Sequence, residues 1–241
     1  MIKAHPTDPM LRAFAADELP LPLAVGLSAH CELCPDCAAR LKTFEEELAQ
    51  QYLASPAEPE LDSRDEDEVA LDAGFDAMLA DILAQPLAQP LAQPLAEPLS
   101  EPTHDQPRAQ HSELEVAGHA YRLPRVLARY RSPKWRHIGA IRQQSLPLDE
   151  MGARASLLHI EAGGRIPEHT HQGYELTLLL AGNIQDGDTL YKAGDFIWRD
   201  ASHSHSPHTQ DGCLCYTVQD APVQFTKGLS RLLNGISQHL Y

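Results

Sequence analysis

A short proline-containing unit repeats between residues 85 and 104 and limits how the chain can fold. Proline lacks the backbone donor that a helix interior needs and clashes with the preceding turn, so a proline at every fourth position excludes a continuous helix. Such a repeat favours a stiff, extended linker. We therefore predict two domains, at residues 1–84 and 113–241, joined by a linker at 85–112. The unit Gln-Pro-Leu-Ala occurs at residues 85–88, 89–92 and 93–96, with degenerate copies at 97–100 and 101–104.

The negative charge of the chain is concentrated before and within this linker. The 241 residues carry a formal net charge of −15. Residues 1–110 hold 6 basic and 21 acidic side chains, which accounts for the whole imbalance, whereas residues 111–241 hold 13 of each. A half this acidic is unsuited to binding nucleic acid directly, and it fits a basic protein partner. The alternative, which we prefer for single stretches such as Glu45–Glu47 and Asp65–Glu68, is a solvated acidic surface that keeps the protein soluble.

The cellular location is predicted from two missing sequence patterns. No apolar run approaches the roughly 18–20 residues that span a bilayer. Residues 1–5 lack the charged and then apolar pattern of a secretory signal. We therefore expect a cytoplasmic protein without a membrane segment. Its 5 Cys are sparse and odd in number, which favours metal binding or thiol chemistry over a disulfide framework.

The first domain is predicted to be helical. Apolar residues recur there at intervals of three or four, as on the buried face of a helix. Asp8 is expected to cap the first helix, with Pro9 at its first position. A domain this small builds only a limited core, to which a bound metal adds stability. The expected helices cover residues 6–18, 20–31, 35–53 and 68–84.

The residues beyond 112 follow a different pattern. Short alternating or apolar runs are separated by Gly, Pro and Asp at a spacing of about ten residues, which is typical of an all-β sandwich or barrel. The clearest expected strands are Ala155–Ile160, Leu176–Leu180, Thr189–Tyr191, Phe196–Trp198 and Leu214–Val218.

The first candidate metal site is a His-x3-Cys-x2-Cys run at His30, Cys34 and Cys37. Pro35 starts a helix directly after Cys34, so both thiols lie near the positive end of a helix dipole, which stabilises thiolates. Zinc favours four tetrahedral nitrogen and sulfur ligands, and His5 is the best candidate for the fourth.

Two alternatives to this zinc site stay open. Cys31 competes for a ligand position, although it is next to His30 and is expected to point elsewhere. Cys34 and Cys37 also fit a redox dithiol without metal; if they do hold zinc, their oxidation would eject the ion.

The second candidate metal site follows Gly163. His169 and His171 alternate, so on a strand both imidazoles face one side. Glu175 adds a carboxylate oxygen, and His205 adds a further imidazole downstream. This ligand set suits Zn, Mn, Fe or Ni.

The downstream imidazole of this second site has two competitors. His203 would share a face with His205 on a continuous strand and is the second choice, and His208 is the third. A barrel that keeps this spacing without a metal is a further alternative.

Two more cysteines are predicted on a strand of the second domain. Cys213 and Cys215 alternate and should face one side. They fit either two buried core thiols or a redox pair near the metal site. A disulfide between them on a regular strand would be strained.

The first motif resembles the zinc-binding anti-sigma domain. The resemblance rests on the His30-x3-Cys34-x2-Cys37 run, on the early His5 and on the short helix that follows His5. It covers residues 1 to about 84. It implies that these four residues hold zinc, and that the helices wrap an extracytoplasmic-function sigma factor and block its access to core RNA polymerase.

The second motif resembles the cupin fold, a double-stranded β-helix barrel. Gly163–Gly182 matches the first cupin motif at every fixed position, and Gly194–His205 matches the second. The second motif departs from the usual pattern, with Asp200 in place of a proline and Ser202 in place of a glycine. We therefore predict a two-domain α plus all-β protein, with a small zinc-binding helical domain followed by a cupin barrel.

The order of these parts resembles the ChrR family of anti-sigma factors. The run at residues 173–178 and the pair Cys213 and Cys215 are also similar to that family. The resemblance implies a transcription regulator that inhibits a sigma factor and releases it when its cupin domain senses singlet oxygen or organic hydroperoxides. The rival prediction is a metal-dependent, dioxygenase-like cupin enzyme that the helical domain regulates.

Overall fold

The computed structural model describes residues 1–54, 84, 113–130, 134–227 and 234. The described residues up to Gln51 and from Glu113 onward belong to one compact unit. The predicted linker and, apart from Ala84, the predicted helix at 68–84 lie outside the described residues. Both therefore remain predictions, as do the domain boundaries.

Three helices precede the β-structure. They are α1 (Asp8–Ala15), α2 (Leu21–Leu33) and α3 (Pro35–Ala54), which confirms the helices expected in this region. Helix α1 is shorter than expected, because Asp17 adopts a left-handed conformation with a φ of 58°.

The residue that caps α1 differs from the predicted one. Thr7 has an extended backbone, and its side-chain oxygen accepts a hydrogen bond from the amide of Met10. Asp8 is already the first helical residue, so Pro9 is the second. The predicted cap at Asp8 is therefore wrong. The Asp8 carboxylate instead accepts hydrogen bonds from the guanidinium of Arg40 on α3.

The helices differ in how much of their surface is buried. Helix α2 buries residues on all sides, including Leu23, Val25, Leu27 and His30. Helix α3 has 20 residues, of which only Cys37 and Phe44 are buried. Within the described part of the chain, none of the helices combines the length and the apolar character needed to cross a membrane.

Short antiparallel strands follow, as the alternating pattern predicts. Each strand expected from the sequence lies within one of them. The strands are β1 (Glu113–Val116), β2 (His119–Arg122), β3 (Arg136–Ile138), β4 (Ile141–Glu150), β5 (Ala153–Ile160), β6 (His169–His171), β7 (Tyr174–Asp186), β8 (Thr189–Lys192), β9 (Phe196–Asp200), β10 (Cys213–Gln219) and β11 (Val223–Phe225).

The main sheet contains seven of these strands. Its order is β3-β4-β5-β10-β7, and β7 pairs with both β8 and β9. Strand β6 pairs with β11, and β1 pairs with β2. Helices followed by this antiparallel barrel confirm the predicted fold class.

Strand β10 lies at the centre of the main sheet and separates two apolar cores. Leu214, Tyr216 and Val218 belong to the larger core, which also contains Leu23, Val25, Leu27 and Ala29 of α2. Cys213 and Cys215 belong to the smaller core on the other face, inside the barrel. Side chains alternate along a strand, so one strand contributes to both cores.

Helix α2 packs directly on the outer face of this sheet. A Cβ atom placed on Gly26 would lie 2.7 Å from Leu176 Cδ2 and 3.2 Å from Tyr216 Cε1. Only glycine therefore lets the helix approach so closely. The Tyr216 hydroxyl donates a 2.8 Å hydrogen bond to the carbonyl of Pro22. The sequence did not predict this packing of the helices on the barrel.

Candidate metal centres

The first cluster, termed the helical centre, joins the N-terminal segment to α2 and α3. His5 precedes α1, and His30 lies in the last turn of α2. Cys34 is the residue between α2 and α3, and Cys37 lies in the first turn of α3. One ligand atom from each of these four residues lies within 4.8 Å of the others. The structure thus brings together all four residues that the sequence singled out.

The spacing within the helical centre fits a tetrahedral ion. His5 Nδ1 is 3.5 Å from Cys34 Sγ and 3.4 Å from Cys37 Sγ. A tetrahedral zinc ion with ordinary bond lengths to sulfur and nitrogen separates these two atom types by about 3.6 Å. The two sulfurs and the imidazole therefore have room for a shared ion.

The tautomer of His30 follows from its partner. Its Nδ1 lies 2.9 Å from the carbonyl oxygen of Gly194, which can only accept, so Nδ1 carries the proton. The buried Nε2 has no hydrogen-bond partner among the described residues. Burial lowers the pKa of His30 to about 4. Nε2 consequently carries a free lone pair, and a neutral imidazole in this tautomer can bind a metal through Nε2.

The thiols of the helical segment divide into two environments. Burial and the hydrogen bond with Cys34 raise the pKa of Cys37 to about 12, so without a cation this thiol holds its proton. Binding of a metal ion would release that proton. Cys31 lies outside the cluster and packs against the larger core. The structure therefore does not bring Cys31 to the candidate ligand position.

The second cluster, termed the barrel centre, lies inside the barrel. His169 and His171 are on β6, Glu175 is near the start of β7, and His205 is in the segment between β9 and β10. Reciprocal 3.0 Å backbone hydrogen bonds hold His205 against His169. The four ligand atoms again lie within 4.8 Å of one another.

The nitrogens of the barrel centre converge. His205 Nε2 is 3.0 Å from His169 Nε2 and 3.1 Å from His171 Nε2. Glu175 Oε2 lies 3.5 Å from His171 Nε2. Ligands at right angles and about 2.1 Å from one ion are separated by about 3.0 Å. Three imidazoles and one carboxylate therefore fit a divalent ion.

The structure distinguishes the three candidate downstream imidazoles. His203 is half-exposed, and its Nδ1 bonds the carboxylate of Asp200. His208 pairs through its backbone with Arg165 and Gln185. Of the three, His205 is the residue that joins the cluster.

Residues outside the cluster orient its imidazoles. His169 Nδ1 donates to the carbonyl of Pro167 at 2.8 Å. His205 Nδ1 donates to Asp186 Oδ2 at 3.0 Å, and the same oxygen accepts from Arg199 Nη2 at 3.1 Å. Both imidazoles are thus fixed with Nε2 free to bind a metal.

The sequence did not single out Asp186 or Arg199. Asp186 is followed by Gly187, and an Asp-Gly pair between two strands signals a hairpin turn. That signal is correct, because Asp186 pairs with Thr189 across the turn. The turn signal alone does not indicate that the Asp186 carboxylate also accepts a hydrogen bond from His205.

A small cavity adjoins the barrel centre. Its volume is about 30 Å³, and its lining includes His169, Glu175, His205 and Cys215 beside apolar side chains. A buried water needs roughly 10–15 Å³ of such space. The cavity therefore accepts a guest of only a few atoms.

The two thiols of β10 face the barrel interior, as their alternation predicts. Both are fully buried, and their sulfurs are 3.9 Å apart without a bond between them. The neighbouring Cys213 thiol and burial raise the pKa of Cys215 well above its usual value. At neutral pH Cys215 is therefore a protonated and weakly nucleophilic thiol.

We expect the metal-free chain to lose stability between pH 7 and pH 5. Burial lowers the pKa of His30, His169 and His171 to about 4. Below the ordinary value of 6.5 the unfolded chain therefore binds protons that the folded chain does not. Each histidine should contribute a loss of about 2 kcal/mol at pH 5. Urea unfolding of the chelator-treated chain at the two pH values measures this loss.

One variant tests the assignment of this pH dependence. His30→Asn should remove the share of one histidine, about 2 kcal/mol of the loss. Equal unfolding free energies at pH 7 and pH 5 would contradict the expectation.

We expect Asp186→Ala to weaken metal binding at the barrel centre by about 10- to 100-fold. Burial opposes ionisation of Asp186, but the hydrogen bond from His205 outweighs it and lowers the pKa, so a carboxylate is present to orient this imidazole. Competition with a chelator measures the affinity. Asp188→Ala, in the same hairpin turn and exposed, is the matched control. Equal affinities in the two variants would show that Asp186 does not orient His205 for metal binding.

The fold and the barrel centre define the class of this protein as a cupin barrel joined to a cysteine- and histidine-bearing helical segment. The model of the ChrR cupin-like domain family matches residues 124–223. The anti-sigma-E factor ChrR of Cereibacter sphaeroides is 28% identical over 235 residues, which are 96% of this chain and 96% of that protein.

A solved structure extends this similarity to the fold. The crystal structure of Rhodobacter sphaeroides SigE in complex with the anti-sigma ChrR matches with a TM-score of 0.59 and 26% identity. The match covers 91% of this chain and 99% of the matched chain. The chain is thus similar to ChrR anti-sigma factors over most of its length, and its residues 124–223 match the ChrR cupin-like domain family.

Proposed function

We propose that this protein is an anti-sigma factor that binds and inhibits an extracytoplasmic-function sigma factor in the cytoplasm. One observation carries the proposal: the helical centre and the barrel centre occur in one chain that aligns over 96% of its length with an anti-sigma factor. A related chain has been crystallised in complex with SigE.

Zinc is the ion we assign to the helical centre. Two thiolates and two imidazoles are a tetrahedral nitrogen and sulfur set, which zinc prefers. Helix α3 buries only two of its 20 residues, so a metal that joins it to α2 and to the N-terminal segment contributes directly to folding.

The charge of the N-terminal half supports a basic partner. Residues 1–110 carry a net charge of −15, and the described part includes the acidic run Glu45–Glu47 on α3, which is exposed. Such a surface accelerates the encounter with a basic protein and disfavours nucleic acid. A sigma factor presents basic surfaces to DNA, so we assign the sigma factor as the partner.

The barrel centre is the sensor in this proposal. Three imidazoles and one carboxylate leave coordination positions open on a divalent ion, and the adjoining cavity of about 30 Å³ accepts only a few atoms. This size favours a small oxidant, such as singlet oxygen or the peroxide group of a hydroperoxide. The signal must act differently on the bound and free states to release the sigma factor.

The binding test uses the full metal-loaded chain and the extracytoplasmic-function sigma factors of the organism that encodes it. We expect a stable complex and inhibition of transcription by core RNA polymerase with that sigma factor. Failure of the metal-loaded chain to bind the sigma factor would overturn the proposal.

The sensing test uses the double variant His169→Ala and Glu175→Gln. It should inhibit as well as the unmodified chain but should not release the sigma factor when singlet oxygen or an organic hydroperoxide is added. His203→Ala is the control and should respond normally. If the double variant still releases the sigma factor when the oxidant is added, the barrel centre is not the sensor. Iron or manganese at this centre with substrate-dependent oxygen consumption would instead support an enzyme.

A further inference from the structure

The turn that connects β8 to β9 contacts the segment that carries His5. A Cβ atom on Gly194, which has a φ of +94°, would lie 2.5 Å from Ile2 Cδ1. The amide of Phe196 donates a 2.9 Å hydrogen bond to the carbonyl of Ala4. Residues 2–4 therefore lie along this turn immediately before His5.

Asp195 in this turn holds the contact. Its side chain is buried, with the residue only 1% exposed. Oδ1 accepts from the amides of Lys3 and Ala4 at 2.5 and 2.9 Å, and Oδ2 accepts from the amide of Lys192 at 2.7 Å. A buried carboxylate is costly unless hydrogen bonds satisfy it. Here the donors come from both the barrel and the N-terminal segment.

The same turn orients a second residue of the helical centre. The carbonyl of Gly194 accepts the proton of His30 Nδ1, which leaves Nε2 directed into the cluster. The rings of His30 and Phe196 also meet edge to face, with centroids 5.5 Å apart. Two residues of the helical centre, His5 and His30, thus depend on the turn for their placement.

We propose that the β8–β9 turn is the outer shell of the helical metal centre and that Asp195 is its positioning residue. The barrel would then complete the metal site of the helices: Asp195 fixes the chain beside His5, and the Gly194 carbonyl fixes the tautomer of His30. The inference rests on the proposed ligand roles of His5 and His30 but not on sigma-factor binding. Outer-shell partners of this kind change metal affinity by about 10- to 100-fold.

The test is a cobalt titration of the full chain and its variants. Only the helical centre contains thiols among its candidate ligands, so the thiolate-to-cobalt charge-transfer absorption reports this centre separately from the barrel centre. Asp195→Ala should weaken cobalt binding there by about 10- to 100-fold, with the barrel centre unchanged. Asp188→Ala removes an exposed carboxylate and should bind as the unmodified chain does. Equal affinity in Asp195→Ala and the unmodified chain would overturn the inference.

Two milder variants keep the inference testable if Asp195→Ala also disturbs the barrel centre. Asp195→Asn retains the side-chain shape but not the charge, and Ala4→Pro removes one donor without altering the barrel. Both should weaken the thiolate–cobalt absorption selectively, and unmodified affinity in both would overturn the inference. If the unmodified chain shows no such absorption, the proposed metal binding at the helical centre is wrong. That result would be distinct from a failure of the role proposed for Asp195.

Discussion

Replacement of Tyr216 by alanine is expected to lower the free energy of unfolding by about 3–5 kcal/mol, as for other fully buried aromatic residues. Tyr216 is 0% exposed and packs between the sheet and α2. The change removes this packing and also the hydrogen bond to the carbonyl of Pro22. Urea unfolding of the metal-loaded chain, monitored by circular dichroism, measures the effect.

Two further variants show whether the loss comes from this contact. Tyr216→Phe keeps the ring and should cost about 1–2 kcal/mol, because it removes this buried hydrogen bond. Tyr52→Ala removes a tyrosine that is 76% exposed and should change stability by less than about 0.5 kcal/mol. A loss in Tyr216→Ala no larger than in Tyr52→Ala would show that α2 does not depend on the sheet.

The second large effect is expected from Cys37→Ser. Cys37 is fully buried at the start of α3 and lies 3.4 Å from His5 Nδ1. Loss of this thiolate leaves three ligands for the ion, and structural zinc contributes roughly 10–16 kcal/mol of binding energy that is also folding energy. We expect the zinc content to fall by about one ion per chain and sigma-factor binding to weaken at least 100-fold.

Cys31→Ser is the matched control for this change. Cys31 lies three residues before Cys34 but outside the cluster, so its removal should leave zinc content and sigma-factor binding unchanged. Zinc retained in Cys37→Ser, or lost equally in Cys31→Ser, would contradict the assignment of the helical centre.

The sequence predicts most of the elements and both clusters, because their signals are local. The spacing of His169 and His171 on a strand and that of Cys34 and Cys37 around a helix start each place two candidate ligands together. The structure also places His5 in the first cluster. The predicted cap of α1 is wrong by one residue, because Thr7 and Asp8 are both good capping residues.

The packing of α2 on the barrel and the roles of Asp186 and Asp195 were not predictable in the same way. Gly26 approaches Leu176 and Tyr216, which lie at least 150 residues later in the chain. No local pattern encodes such a distance. Asp186 and Asp195 each lie next to a glycine at a strand end, where turn formation already accounts for an aspartate.

The packing of α2 on β10 also has a consequence for synthesis of the chain. Pro22 and Tyr216 are 194 residues apart in sequence, and ribosomes add about 5–20 residues per second. Roughly 10–40 seconds therefore pass between the emergence of α2 and that of the strand that covers it. During this interval the nascent helix exposes an apolar surface that is buried in the finished protein, so a partner or chaperone present at the ribosome meets a different surface from the one that the folded protein presents.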